Sequence, residues 1–388
     1  VEKGVHINAQ ERAILLDVKR DDKVAKGKIR LKAVDESGQP VEGALVGHLA
    51  CWNDPHPKWQ QEKGLRIHSM GDTAKRTGKR GAVLLRHEDV FQRGLPKDFP
   101  TELVVIHKER KIGAMGAVVP AAAGRSAVLT LQPLTRVHGK LTSTSLAKLG
   151  RKLYSTSAGI HVGSLWLFSC GSGYRRYDML VPPGKYLLGV DGNDTFHAWK
   201  KLTIKPGQRS IRTDLDLPAD RLARLYGKRA PELKGIQAWN KFGPVTLEEL
   251  RGKVVLLDFW GYWCGPCVYS IPNLMELHDK YHDKGLEIIG IHDNSVKSMR
   301  QLSAKCREVK KELWGGRDIP FRVAIDGATK THIPGFPKRY VLGGPMVASY
   351  GITSYPTSLL IDQSGKLLKK VWPGADLTEE IEPLLDRP

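Results

Sequence analysis

The sequence predicts a multidomain chain: two all-β sandwiches followed by an α/β domain. Residues 24–218 carry many short alternating segments separated by Gly- and Pro-rich turns, the pattern of sandwiches. Residues 229–388 instead carry the apolar run Val254–Leu257 and the largely apolar Leu286–Ile291, with helical spacing between them, as in an α/β layer structure. At 388 residues the chain is too long for one small core and suits two or three domains.

Residues 1–23 form an N-terminal segment in which Ile14-Leu15-Leu16 reads as a strand or short helix. The charged run Lys19-Arg20-Asp21-Asp22-Lys23 reads as a linker or turn. The first sandwich spans 24–133. Lys28–Val34 alternates apolar and polar residues, Asp35-Glu36-Ser37-Gly38-Gln39-Pro40 is a turn, and Val41–Val46 follows, which together predict a β-hairpin. Further strands are expected at Ala82–Leu85, Leu103–Ile106 and Ala127–Leu131. The second sandwich spans 134–218, with strands at Arg136–Leu141, Val181–Val190 and Leu202–Lys205. Basic residues with helical spacing at Asp220–Tyr226, broken at Pro231, place a linker at 219–228.

In residues 229–388, Val254–Trp260 reads as a fully buried strand of a parallel sheet, and Gly261–Pro266 as the turn into a helix with Cys267, Ile271, Leu274 and Leu277 on its apolar face. Cys264 then falls at the helix N-terminus, where free backbone N–H groups and the helix dipole favour a thiolate. Cys267 lies nearly one turn further along the same face, within reach of Cys264 and more shielded, and Gly265 and Pro266 suit the first turn of the helix. Strands are expected at Leu286–Ile291 and Thr357–Ile361, the latter running into a hairpin through Gly365 and Leu367.

These residues resemble the thioredoxin superfamily, in particular the bacterial envelope redoxins of the TlpA/ResA type and the redoxin/AhpC-TSA-like group. The resemblance covers about 229–388. It rests on Ala230-Pro231, Leu250–Val255, Asp258-Phe259-Trp260, Trp263-Cys264-Gly265-Pro266-Cys267 and Tyr355-Pro356-Thr357. It implies a thiol-disulfide oxidoreductase in which Cys264 attacks, Cys267 resolves and Asp258 exchanges a proton with Cys267. Trp263, Gly265, Pro266, Tyr355 and a cis Pro356 would face the substrate. Ser270 stands where such proteins often carry Glu, and the bulky Tyr355 where small or β-branched residues are commoner. No cofactor is implied. The partners expected are protein disulfides or dithiols and an upstream redox partner. The hairpin Asp35–Ala44 is similar to the carboxypeptidase-regulatory-like sandwich family, and Pro182–Val190 to a late hairpin of the same superfamily.

Composition narrows the alternatives. Five cysteines are too few for a disulfide scaffold, and a zinc site lacks the two further ligands that Cys264 and Cys267 would need. His278 and His282 read as a solvated helix face, Cys306 as a partly buried small hydrophobe, and a Cys51–Cys170 disulfide is the less favoured arrangement. A peroxidase of the peroxiredoxin type needs Pro-x3-Thr-x2-Cys, but Leu257 and Gly261 stand at those positions before Cys264.

Of the net charge of +20, 18 units fall within residues 1–230, which hold 40 Lys and Arg against 22 Asp and Glu. That surplus favours an anionic surface, such as one in the cell envelope, as a partner. Nucleic acid is the weaker reading, since Tyr174-Arg175-Arg176-Tyr177 is equally what a sandwich strand would show. A further reading makes the basic sandwiches surface-binding modules with an accessory redoxin. No window approaches the roughly 18 apolar residues that span a bilayer. The sequence starts at Val1 rather than Met and shows no signal pattern at its front, so an export or anchor segment is expected upstream; the resemblance to bacterial envelope proteins implies an extracytoplasmic location.

Overall fold

The computed structural model describes residues 18–21, 23–25, 28–48, 75–86, 101–118, 124–162, 165–170, 175–328 and 344–386. Ile14–Leu16, Cys51, His68 and Tyr174 lie outside these residues. The chain divides into two compact units, Val1–Pro218 and Ala219–Pro388.

In the first unit, strands Val18–Arg20, Lys28–Val34, Ala82–Arg86 and Arg125–Thr130 form a four-stranded sheet. Leu45–His48, Lys75–Arg76, Thr101–His107, Ile112–Val118 and Gln132–Pro133 form a five-stranded one. Both sheets feed one apolar cluster: Ile29, Leu31, Val83, Leu85, Ala127 and Leu129 from the first meet Val46, Leu103 and Val105 from the second. The charged run at 19–23 is therefore not purely a linker, because Val18–Arg20 pairs with Arg125–Ala127 at the sheet edge, where charged residues are tolerated on the open face.

The expected hairpin is corrected as well. Its turn forms, with the Asp35 carboxylate accepting from Ser37 N, Gln39 N and Ser37 Oγ, and with a bridge from Val34 to Pro40. Beyond it the strands part. Lys28–Val34 pairs with 82–86 and 125–130, whereas Leu45–His48 joins the opposite sheet. Buried Val41 and Ala44 account for the crossing: Thr77 Oγ1 donates to Val41 O and accepts from Ala44 N, holding that segment between the layers.

The rest of this unit holds a sheet of Thr135–Thr142, Arg176–Val181, Ser210–Arg212 and Leu215–Asp216, and another of Thr156–Val162, Leu165–Cys170, Gly184–Gly192 and Ala198–Ile204. Alternation buries Val137 and Leu141 on one strand and Tyr177, Met179 and Val181 on its neighbour, while Tyr186 to Val190 are buried as a run on a third. Tyr177, on the strand Arg176–Val181, faces inward and donates to Thr213 O at 2.6 Å.

In the second unit a mixed six-stranded sheet runs β1-β4-β3-β2-β5-β6, with β1 Ile236–Trp239, β2 Val254–Trp260, β3 Leu286–His292, β4 Arg322–Asp326, β5 Thr357–Ile361 and β6 Leu367–Val371. Only the β2–β3 and β3–β4 pairs are parallel. The sheet is thus not the parallel one expected, because β5 follows directly back along β2 and turns by a short hairpin into β6. Helices α1 Gly265–Tyr281, α2 Met299–Lys305, α3 Arg307–Glu312, α4 Pro345–Tyr350 and α5 Thr378–Leu385 complete the unit. Strands β1 and β4, half-buried at Ile236 and Arg322, lacked a long apolar run and were not foreseen.

Residues 219–228 do not behave as a free linker. Leu222 is buried in the cluster of Tyr350, Ile352 and Leu367, with Leu225 and Tyr226 packed against it. Gly227 N donates to Leu367 O and Leu367 N to Lys228 O, which ties the segment to the β5–β6 hairpin. The basic residues among them face outward, so spacing alone concealed the apolar anchors.

Gly139 marks the tightest strand approach in the first unit, since a Cβ there would come 1.8 Å from Thr213 O and 2.9 Å from the Tyr177 ring. Gly139→Ala is expected to destabilise that unit by about 1–3 kcal/mol or more. Hydrogen exchange should show the loss across residues 135–142 and 210–216, with the second unit unaltered.

Candidate redox site

Strand β2 is buried on both faces along its whole length. It delivers the chain at Trp260 to a short turn, and Cys264 caps α1 with extended backbone (φ −90°, ψ 103°). Gly261 makes the turn possible: a Cβ at that position would lie 2.9 Å from the Trp263 indole. Cys264 and Cys267 are joined in a disulfide with Cα atoms 5.2 Å apart. Cys264 Sγ also accepts the Cys267 N–H at 3.3 Å. The sulfur that meets the helix N-terminus is therefore the one that gains from its dipole. Exposure separates the pair, 7% for Cys264 against 1% for Cys267. A Cβ at Gly265 would meet nothing within 4 Å, so the surface beside Cys264 is open.

Trp263 is half-exposed and held in place. Its Nε1 donates to Asp293 Oδ2 at 2.8 Å, and Asp293 Oδ1 accepts from Ser295 N and Oγ. Beside it, His292 Nε2 accepts the Tyr262 N–H at 3.0 Å while Nδ1 lies 2.8 Å from Asp293 O, an arrangement that selects the neutral Nδ1–H tautomer. Burial lowers the His292 pKa in the same sense. Tyr355 meets Trp263 edge-on at 5.8 Å, and the Tyr355–Pro356 peptide is cis. The buried Tyr355 hydroxyl has no hydrogen-bond partner. Burial first, then the Asp293 and Asp326 charges, raise its pKa.

Asp258 lies on the face of β2 that also presents Leu256 and Trp260, and those two share an apolar cluster with Cys264 and Cys267. Desolvation raises its pKa to about 7, and the hydrogen bond from Ser358 Oγ at 2.5 Å opposes that rise. Ser358 is its antiparallel ladder partner on β5.

Other expectations fare differently. Ser270 is buried and donates to Cys267 O at 2.8 Å. Cys306 is a free thiol, buried in the same apolar cluster, and desolvation pushes its pKa to about 11. His278 and His282 do not form a solvated face: their rings stack at 4.5 Å with both Nδ1 atoms buried, and Phe321 packs beside His278. Among the described residues no group of three or more His, Cys, Asp and Glu could hold a metal.

His292, Asp293, Ser358 and Asp326 were missed. The first two had a signal in the polar His-Asp-Asn-Ser stretch that ends the buried strand β3, since sites gather at the carboxyl ends of such strands. Asp326 accepts from Gly344, Met346 and Val347 N and so caps α4. Its partners lie 18 to 21 residues away, beyond any local pattern.

A mixed sheet carrying a Cys-x-x-Cys disulfide at the N-terminus of its first long helix, opposite a cis-proline, defines a thioredoxin-like protein. The AhpC/TSA family matches residues 226–370. The thiol-disulfide oxidoreductase ResA of Bacillus cereus is 32% identical over 169 residues, 44% of this chain and 82% of that protein. Protein DipZ of Mycobacterium bovis is 48% identical over 68 residues, 16% of this chain and 10% of that one. A solved thiol-disulfide isomerase from Corynebacterium glutamicum is 23% identical with a TM-score of 0.33, covering 41% of this chain and 98% of its own. The chain belongs to the ResA-like thiol-disulfide oxidoreductases of the thioredoxin superfamily, and it is a thiol-disulfide oxidoreductase.

The raised pKa of Asp258 gives a signed prediction. The native state binds this proton more tightly than the unfolded chain, so the contribution to stability is intact below about pH 4 and is lost as pH rises through about 7. Asp258→Asn is expected to change stability little at pH 4 and to raise it at pH 8 by about 2–4 kcal/mol. Urea unfolding at the two pH values measures the difference, and an equal effect at both would contradict it.

Proposed function

We propose that the protein reduces disulfides in protein substrates outside the cytoplasm, with Cys264 as nucleophile and Cys267 as resolving thiol. The observation that carries this reading is the asymmetry of the pair. Cys264 sits at the open edge of the helix N-terminus with an N–H donated to its sulfur, and Cys267 is sealed behind it. In the reduced enzyme the Cys264 thiolate attacks a substrate disulfide, one substrate sulfur leaves as a thiolate, and a mixed disulfide forms. Cys267 then gives its proton to Asp258 and attacks Cys264 Sγ. The second substrate thiolate leaves and the Cys264–Cys267 bond forms. The substrate has gained two electrons and the enzyme has lost two, which an upstream dithiol partner must restore.

Trp263, Gly265, Pro266, Tyr355 and Pro356 surround Cys264 in this reading. The backbone of Tyr355, just before β5, would offer strand-like hydrogen bonds to an extended substrate segment. Disulfide exchange is favoured over peroxidase chemistry because Leu257 and Gly261 replace the Pro and Thr that a peroxidatic cysteine requires.

The first unit is read as two sandwiches, the first over 24–133 and the second over 134–218. One open sheet face favours an anionic surface as partner: Lys28, Arg30 and Lys32 alternate with buried Ile29 and Leu31. Exposed Val128 lies opposite Lys32 and exposed Leu84 opposite Arg30.

Cys264→Ser is expected to abolish thiol-dependent insulin reduction, and Cys267→Ser to accumulate a mixed disulfide visible on non-reducing gels. Wild-type turnover by Cys264→Ser would overturn the assignment. The full chain should also cosediment with vesicles rich in anionic lipid, not with zwitterionic ones, and should be released by about 0.5 M salt. No cosedimentation would remove the surface-binding reading.

A further inference from the structure

Asp258 is buried, and the hydrogen bond it accepts comes from across the sheet. Its parallel ladder neighbour is Gly290, and the Trp260 indole lies over that glycine, where a Cβ would come 3.0 Å from Nε1. Facing it from α1 is the apolar cluster that contains Cys267. On β5 its partner is Ser358, wholly buried, whose own neighbour on β6 is Val371. No charged side chain contributes to its ionisation, so burial and the Ser358 hydroxyl are the two influences on it. Among the described residues Ser358 is the one side chain that hydrogen-bonds to this carboxyl group, and it does so through Oδ1 alone.

We infer that Ser358 is a positioning residue for the resolving step: it pins Oδ1 of Asp258 and leaves Oδ2 to take the proton of Cys267. The inference rests on the proton role proposed above for Asp258.

The chemistry requires such a device. In the mixed disulfide Cys267 must lose its proton before its sulfur can attack Cys264 Sγ, and a carboxyl group that is itself protonated cannot accept it. Burial alone favours the protonated form, whereas a hydroxyl donating to the ionised form favours the carboxylate. Because the hydroxyl occupies one oxygen, it also fixes which oxygen is free. A rotating carboxyl group would spend its ionised lifetime in orientations that do not meet the thiol. Ser358 also has a single acceptor within the layer, so the pair is mutually oriented through cross-strand register rather than through a flexible loop.

The test separates Ser358 from Asp258. The reduced enzyme is mixed with a chromophoric aromatic disulfide; Cys264 displaces one aromatic thiolate and forms the mixed disulfide, and release of the second aromatic thiol by Cys267 is followed by stopped flow between pH 5 and 9. Carbon NMR of the aspartate carboxyl groups reports the Asp258 titration in the same proteins. In Ser358→Ala the Asp258 midpoint is expected to move upward by about one unit. The release rate at neutral pH should then fall about tenfold, and Ser358→Thr should restore both. A midpoint and rate profile in Ser358→Ala equal to wild type, with native near-ultraviolet circular dichroism, would overturn the role of Ser358. An Asp258→Asn protein that keeps the wild-type rate profile would instead overturn the proton role of Asp258, whatever Ser358→Ala shows. Loss of rate in Ser358→Ala without a change in the Asp258 midpoint and without rescue by Thr would show a packing role only, and also counts against the inference.

Discussion

The constraint on which the catalytic unit depends is the burial of strand β2 on both faces. Each residue from Val254 to Trp260 is covered, the even-numbered ones by the layer containing α1 and the odd-numbered ones by the cluster of Phe259, Tyr350 and Leu359. A strand so enclosed cannot slip in register without moving its whole side-chain set to the wrong layer. Its end is therefore a fixed point, and the turn that follows delivers Cys264 to one place at the head of α1. The same enclosure denies Asp258 both water and a cation. The place of Cys264 and the raised pKa of Asp258 thus share one cause: both are fixed by packing rather than by ionic contacts.

Much of this was legible in residue order. The run Val254–Trp260, the Cys-Gly-Pro-Cys turn and the Tyr-Pro-Thr segment are local patterns, and the structure assembles them as strand, helix cap and cis-proline. What stayed hidden is relational. The Ser358–Asp258 bond depends on the register of strands 100 residues apart, and the Trp263–Asp293 bond on two strand ends meeting. The antiparallel return of β5 is likewise set by the path of the chain, since a short apolar run reads the same in either direction.

The first unit shows the opposite balance. Its strands announce themselves by alternation, but alternation says only which face is inward, not which sheet receives the strand. Asp35–Gln39 folds as its turn chemistry requires, yet Val41 and Ala44 draw the chain across the layer, because burying them outweighs continuing the ladder. At 219–228 the same competition misled in another way: Leu222, Leu225 and Tyr226 are few among basic neighbours, but they are the residues that anchor the segment.

Cys306 shares the apolar cluster of the active pair, with its proton held by desolvation well above neutral pH. A thiol can enter exchange with a disulfide only as a thiolate. Here the thiol is denied its anionic form by its surroundings. Burial thus keeps Cys306 in the protonated form at neutral pH, the form that does not take part in thiol-disulfide exchange.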